Sequence, residues 1–168
     1  MGSSCNFSHV FEIIEITLPA PKSVKARAFF QIVHGSPEPA KAFAVSSDEE
    51  YFAVLRYSSE SSTAVSVYRR EQPYPTAVFN IPEVSLQQPS YETNVGDPRD
   101  GDVCFSMFNG KEMLRVASRG NNTVYVLDHL KDCRVVGRMD ITEPTRMATD
   151  AKGRVWIRCQ NEIVAFTP

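Results

Sequence analysis

Hydrophobic and polar residues alternate in short runs along most of this chain. Runs rich in Val, Ile, Phe and Tyr are separated by clusters of Gly, Pro, Asn, Asp and Ser. Alternation of this kind is typical of β-strands with one buried face, and no stretch of helical length keeps a helical apolar period. The pattern therefore predicts an all-β fold.

The predicted strands recur in groups. Three groups contain a strand, a tight polar turn, a second strand and then a third strand, and two of these groups add a fourth strand. The first strands are 41–47, 103–109 and 145–151, the second 51–57, 113–119 and 154–160, the third 64–70, 123–129 and 162–168, and the fourth 76–82 and 133–141. Four short antiparallel strands repeated at roughly 40 residues are the pattern of a propeller blade.

At these residues the chain resembles the WD40-type β-propellers, over roughly residues 28–168. The run AKAFAVSSDEEYFAVLRY, followed by TAVSVYRR, is similar to the family's succession of strand, turn, strand, loop and strand. The Trp-Asp and Gly-His signatures of that family are absent, and Leu127-Asp128 stands at one of the Trp-Asp positions. Other blade families, such as the NHL and YVTN repeats, fit the same pattern. The resemblance implies four-stranded antiparallel blades and a scaffolding role in a multiprotein complex.

The repeat divides the single β domain, 1–168, into incomplete and complete units. The predicted strands 11–16 and 28–33 end a blade whose beginning is missing. The units are a partial blade at 7–35, a blade at 41–82, a long loop at 83–101, a blade at 102–141 and an incomplete blade at 144–168. Propellers close with about 4–8 blades, so a partial propeller requires a second copy, another polypeptide or a longer parent protein. A β-sandwich with strands of similar spacing is the alternative fold.

Composition and charge favour protein partners over nucleic acid. The formal net charge is −2 and the isoelectric point is about 5.9, whereas nucleic-acid binders usually carry a positive excess. The four cysteines form no CxxC motif, and three of them lie in apolar runs where buried free thiols are expected. We therefore expect a cytoplasmic protein that binds protein partners and does not bind nucleic acid.

A membrane association would depend on the N-terminus. No apolar run approaches the ~18 residues that a membrane-spanning helix needs. Gly2 follows the initiator Met and Cys5 lies nearby, which allows myristoylation with palmitoylation, but Asn6 replaces the usual Ser or Thr of the acylation motif. Gly2 and Cys5 are thus weak lipidation candidates, and no other feature predicts membrane binding.

Catalytic motifs are missing from the sequence. It contains no Gly-rich phosphate loop, no GxSxG elbow and no HExxH pair, and its three histidines are isolated. We expect no enzyme activity and no cofactor. The acidic loop at 92–103 offers Asp97, Asp100 and Asp102 as weak calcium ligands, although its spacing does not match an EF-hand. A propeller-type hydrolase or lactonase, or a glycan-binding protein, that uses this loop is the alternative function.

Aromatic and arginine side chains are enriched at protein interfaces, and they supply the candidate contacts. We predict that partners contact Tyr57, Tyr91, Arg99, Arg119 and Arg146. The only tryptophan, Trp156, alternates with Val155 and Ile157, which favours core packing between blades over an interface role. The sequence predicts a non-enzymatic interaction module or scaffold subunit, completed by a partner chain or by self-association as a homodimer.

Overall fold

In the computed structural model, the residues that are described are 40–57, 63–70, 72, 74–82, 101–160 and 162–167. This part of the chain contains eleven β-strands and no helix. The strands are β1 (Ala40–Val45), β2 (Tyr51–Tyr57), β3 (Thr63–Arg69), β4 (Pro75–Ile81), β5 (Gly101–Phe108), β6 (Lys111–Ser118), β7 (Thr123–Asp128), β8 (Arg134–Asp140), β9 (Arg146–Thr149), β10 (Val155–Arg158) and β11 (Ile163–Phe166). The all-β prediction is confirmed.

The strands form three antiparallel sheets in chain order. Sheet 1 has the order β1-β2-β3-β4, sheet 2 has β5-β6-β7-β8, and sheet 3 has β9-β10-β11. All eleven strands that the repeat predicted in this part of the chain are present, and their ends shift by at most three residues. The predicted strands at 11–16 and 28–33 lie outside the described residues. None of the described residues form a helix that is long and apolar enough to cross a membrane.

The hairpin between β5 and β6 shows how local sequence sets the register. Asn109 and Gly110 both have positive φ, of 51° and 73°, and they connect the directly paired residues Phe108 and Lys111. A two-residue turn with positive φ at both positions matches the right-handed twist of the strands, and Asn-Gly adopts it at the lowest cost. At the start of β5, a Cβ on Gly101 would overlap the carbonyl oxygen of Ala117, so this strand pair approaches too closely for any larger residue.

Sheet 2 lies between the other two sheets and is buried on both faces. One face carries Val103, Phe105, Leu114 and Val116, which pack in one core with residues of sheet 1. The opposite face carries Cys104, Ala117 and Val124, which form a second core with Val155, Ile157 and Cys159 of sheet 3. Side chains alternate between the two faces of a strand, so almost every residue of β6 and β7 is buried against one neighbour or the other.

The first strands of successive sheets lie side by side. β5 contacts β1 on one side and β9 on the other. Side-chain hydrogen bonds join β5 to sheet 3: the carboxylate of Asp102 accepts the backbone N–H of Met147 at 2.8 Å, the Thr149 hydroxyl donates to the carbonyl of Phe105 at 3.0 Å, and the Arg146 guanidinium donates to the carbonyl of Gly101 at 3.3 Å. The three sheets therefore stack in sequence through their first strands.

The cysteines in the described part of the chain are free and buried, as their apolar surroundings predicted. They are Cys104, Cys133 and Cys159. Burial raises the pKa of the Cys104 thiol to about 11 and that of the Cys133 thiol to about 12, because the low dielectric disfavours the thiolate. At neutral pH both thiols stay protonated and act as small apolar side chains.

Candidate interaction surface

One face of sheet 3 is open to solvent in the described structure, and we call it the terminal face. Cross-strand pairing places Trp156 between Ala148 and Ala165, and it places Arg158 between Arg146 and Ile163. Residues opposite one another in an antiparallel sheet share a face. The terminal face therefore consists of Arg146, Ala148, Trp156, Arg158, Ile163 and Ala165. The other face of β10 carries Val155 and Ile157, which pack on sheet 2.

The terminal face presents large apolar side chains to solvent. Trp156 is 37% exposed and Ile163 is 68% exposed. Ala148 and Ala165 are exposed on either side of the indole, and both arginines, Arg146 and Arg158, are exposed at the end of the face. The exposed tryptophan and the two arginines match the enrichment of aromatic and arginine side chains at protein interfaces. The prediction that Trp156 packs in the core is wrong, because alternation places it opposite the buried pair Val155 and Ile157.

Trp156 is held in place by two neighbours. Its indole N–H donates to the Asp150 carboxylate at 3.0 Å, and the guanidinium of Arg154 lies 5.1 Å from the ring centre. Arg154 also forms a salt bridge with Asp150 at 2.7 Å. The hydrogen bond from Trp156, together with those from Arg154 and the local backbone, lowers the pKa of Asp150 to about 2. The indole is thus oriented before any partner arrives, which reduces the entropy that binding would cost.

Among the predicted contact residues, Arg146 lies on the terminal face. Its guanidinium donates to the carbonyl oxygens of Thr145, at 3.1 Å, and Gly101, at 3.3 Å. These two bonds use a single nitrogen of the group, Nη1, and the residue remains exposed. Arg146 and Trp156 therefore belong to one surface.

Arg119 does not belong to the terminal face. Its guanidinium forms a salt bridge with Glu143 at 2.8 Å, and its side chain is largely covered. This pair ties the β6–β7 turn to the segment that leads from sheet 2 into sheet 3. Tyr57 is the last residue of β2. Tyr91 and Arg99 lie outside the described residues.

Asp102 is the member of the predicted calcium loop that the structure describes. Its two carboxylate oxygens accept the backbone N–H groups of Val103, at 2.9 Å, and Met147, at 2.8 Å. Burial raises its pKa, and these hydrogen bonds act in the opposite direction. Asp102 thus links sheet 2 to sheet 3. Asp97, Asp100 and the lipidation candidates Gly2 and Cys5 lie outside the described residues.

Arg115 and His129 are both buried, which the sequence did not predict. Arg115 is buried between sheets 2 and 3, where its guanidinium donates to the Ser106 hydroxyl and to the carbonyl of Met107. His129 is buried edge-on between the rings of Tyr51 and Phe105, at 5.0 and 5.1 Å. In the described structure the Nδ1 atom of His129 has no hydrogen-bond partner. Desolvation lowers its pKa, so the neutral imidazole is favoured.

Ile163, Ala148 and Ala165 were also missed as surface residues. In the sequence β11 is apolar on both faces and β9 has an apolar residue on each face, so the pattern does not distinguish the covered face from the open one. The cross-strand pairing with Trp156 and Arg158 is the feature that groups them.

No family model matches the chain, and no curated protein matches it.

Proposed function

We propose that this protein is a non-enzymatic protein-interaction module that acts in a multiprotein assembly, and that the terminal face binds its protein partner. The observation that carries the proposal is the oriented and exposed Trp156 at the centre of a sheet face that is open in the described structure. At protein interfaces most of the binding energy comes from a few residues, often Trp, Tyr and Arg, that become buried when the partner binds.

The stacking of the sheets supports a partial β-propeller. In a β-sandwich two sheets face each other across one core, whereas here sheet 2 has a core on each face. Four-stranded antiparallel meanders that follow one another along the chain, with their first strands adjacent, are what propeller blades require. We further propose that the arc is WD40-like in function and is completed by a partner chain or by self-association, in the cytoplasm.

The edge of sheet 3 is a second reason to expect a protein ligand. Sheets 1 and 2 each have a fourth strand, whereas β11 pairs with β10 and with no other described strand. A strand edge with unpaired backbone groups is a template for pairing with another chain. Sheet 3 therefore combines an open edge with an open face.

Site-specific photocrosslinking tests the proposal. A photoreactive amino acid at Ala165, an exposed small residue beside Trp156, is expected to form an adduct with a protein whose peptide is identified by mass spectrometry. Leu130 is 53% exposed and lies in the β7–β8 turn, so the same crosslinker at Leu130 serves as the matched control. Trp156→Asp should abolish the adduct at position 165. Equal labelling at both positions, or none at 165, would contradict the proposal.

The hydrolase or glycan-binding alternative has no support from a described residue, because Asp102 uses both carboxylate oxygens to hold backbone N–H groups. A thermal scan separates the two functions. Calcium at millimolar concentration should leave the unfolding midpoint unchanged, whereas a rise that Asp97→Asn or Asp100→Asn abolishes would support the calcium-binding alternative.

A further inference from the structure

Two arginines lie directly opposite one another on the terminal face. Arg146 of β9 pairs with Arg158 of β10, and both residues are exposed. Like charges at directly opposite positions of an antiparallel sheet repel each other and destabilise it. In the described part of the chain, neither arginine forms a salt bridge. The pair is therefore a local concentration of positive charge without a counter-charge among these residues.

The neighbouring charge on this sheet is compensated, which sets the arginine pair apart. Arg154, beside Trp156, forms a salt bridge with Asp150 at 2.7 Å. Arg146 instead donates through Nη1 to two neutral carbonyl oxygens. Arg158 takes part in hydrogen bonds through its backbone carbonyl, which accepts from Thr145. The charges of Arg146 and Arg158 are thus available to a ligand, whereas that of Arg154 is already neutralised.

The corresponding row of sheet 2 has a different chemistry. The row in sheet 2 is Asp102, Ala117 and Val124, and the row in sheet 3 is Arg146, Arg158 and Ile163. In sheet 2 the small Ala117 is buried in the core with sheet 3, and Asp102 accepts a backbone N–H of sheet 3. A sheet that packed on sheet 3 in the same way would bury two guanidinium groups, which is costly unless it supplies counter-charges. The terminal face therefore favours a ligand that brings negative charge.

Exposed apolar side chains lie next to the arginine pair. Trp156, which is 37% exposed, lies two residues from Arg158 on the same face of β10. Ile163, which is 68% exposed, pairs with Arg158 from the other side. Side chains two residues apart on a strand are about 6–7 Å apart, and an extended peptide has the same spacing. The face thus fits an acidic residue and an apolar residue that are separated by one position.

We propose that the terminal face binds an acidic segment of a partner protein, in which a carboxylate binds Arg146 and Arg158 and an apolar side chain two positions away packs on Trp156. The inference rests on the proposed function and names the chemistry of the partner. A carboxylate accepts strong, charge-assisted hydrogen bonds from guanidinium groups, and here it would also remove the repulsion between the two arginines. Nucleic acid fits less well, because the whole chain has a net charge of −2 and the uncompensated charge of this face is confined to one pair.

Selection from a random dodecapeptide library tests the partner chemistry. The peptides that the immobilised wild-type chain retains should be enriched in Asp and Glu, with an aliphatic or aromatic residue two positions away. The double variant Arg146→Gln/Arg158→Gln should lose this enrichment. Arg134→Gln removes an exposed arginine of β8, outside the terminal face, and should keep it. A wild-type chain that retains no acidic peptides, or an enrichment that the double variant keeps, would overturn the inference.

The fluorescence of Trp156 then measures binding at the face itself, because it is the only tryptophan of the chain. Titration with the most enriched peptide should change this fluorescence. The same peptide with Asn and Gln in place of its acidic residues should bind at least about tenfold more weakly, as expected for lost hydrogen bonds between charged groups. Added salt should weaken the acidic peptide, because it screens exposed charges. A single-stranded DNA oligonucleotide that binds more tightly than the acidic peptide would overturn the inference in favour of nucleic acid.

Thermal unfolding separates a binding role of the arginine pair from a structural one. The two charges repel each other in the free protein, so Arg158→Gln should keep or raise the unfolding midpoint while it weakens peptide binding. A marked loss of stability would contradict the repulsion on which the inference depends.

The failure of this inference differs from the failure of the proposed function. A protein adduct at position 165 that Arg146→Gln/Arg158→Gln leaves unchanged would overturn the acidic segment and leave the interaction function standing. The absence of both the adduct and the acidic enrichment would overturn both.

Discussion

Sheets 2 and 3 contain nearly equivalent positions that have opposite surroundings. Arg115 in β6 and Trp156 in β10 each precede a matching buried residue, Val116 and Ile157, on the adjacent position of the strand. Arg115 is buried under sheet 3, whereas Trp156 is exposed because no described sheet follows. The environment of a position in this repeat is thus set by the next sheet and not by the polarity of its own side chain.

The arginine and the tryptophan also use their polar atoms in the same way. Arg115 donates to Ser106 on the neighbouring strand β5, and Trp156 donates to Asp150, which directly follows the neighbouring strand β9. In each case a hydrogen bond to a neighbouring side chain orients the large side chain on the sheet face. Trp156 is therefore oriented on an exposed face, whereas Arg115 is buried. Substitutions at the two positions should change the free energy of unfolding by very different amounts.

The largest difference is expected between Leu114 and Ile163. Leu114 is fully buried between sheets 1 and 2, so Leu114→Ala should lower the free energy of unfolding by about 2–5 kcal/mol. Ile163 is mostly exposed on the terminal face, so Ile163→Ala should change it by less than about 0.5 kcal/mol in the separated chain. Urea denaturation at low protein concentration measures both. Similar costs for the two variants would show that the terminal face is covered within one chain.

Arg115 and Trp156 test the comparison at corresponding positions. Arg115→Ala should cost about 2–4 kcal/mol, because it removes buried contacts and leaves the Ser106 hydroxyl buried without its donor. Trp156→Ala should cost less than half as much in the monomer and should weaken binding instead. Denaturation and crosslinking at position 165 read the two effects separately. An Arg115→Ala protein as stable as the wild type would show that the buried hydrogen bonds of Arg115 contribute nothing to stability.

Asp102 tests the link between the two sheets. Asp102→Asn keeps one carbonyl oxygen but places an amide N–H₂ against one of the two backbone N–H groups, so it should cost about 1–2 kcal/mol. Ser47→Ala, at an exposed residue in the β1–β2 turn whose backbone N–H makes its hydrogen bond, is the control and should be neutral. A neutral Asp102→Asn would show that the link contributes nothing to stability.

His129 lies between sheets 1 and 2, against Tyr51 and Phe105. It should make the free energy of unfolding depend weakly on pH. Desolvation lowers the pKa of His129 in the folded chain below its ordinary value of 6.5, so the unfolded chain binds the proton first as pH falls. The free energy of unfolding should therefore decrease as pH falls below 6.5, until the folded pKa is reached. The nearby carboxylates of Glu112, Asp128 and Asp48 oppose this effect and Lys111 adds to it.

Denaturation curves at pH 7.5 and 5.5 measure this dependence. His129→Gln should reduce the difference between the two pH values, because glutamine does not titrate. A wild-type protein and variant with the same pH dependence would show that His129 does not contribute. Asp48 and Asp128 titrate at lower pH, since hydrogen bonds lower the pKa of each carboxylate.

The strands and turns were predictable because their causes are local. The Asn109-Gly110 turn favours positive φ through the residues that form it, and the alternation around it positions β5 and β6 in register. The same succession of strand, polar turn and strand recurs in the other groups, so the other described hairpins were predictable in the same way. Even the weaker turns were located correctly, with Glu49 and Gly153 at positive φ.

The candidate site was only partly predictable. Arg146 was identified as a contact residue and lies on the terminal face, but Arg119 was chosen by the same reasoning and forms a salt bridge with Glu143, 24 residues away in the chain. Trp156 was assigned to the core because its neighbours are apolar. The partner of Arg119 is distant in the chain, and the exposure of Trp156 depends on the neighbouring sheets, so composition within a strand carries no information about either.

The sequence by itself determined the secondary structure of the described chain and the order of its strands, because side-chain alternation and turn residues act over a few positions. The tertiary structure decided which apolar face is covered. In β7 and β10 one face packs on the preceding sheet, and the other face also carries large residues. That second face is a core where another sheet covers it, as in β7, and an exposed surface where none of the described sheets does, as in β10. That difference makes Val124 a core residue and leaves Ile163, its counterpart in sheet 3, available to a partner.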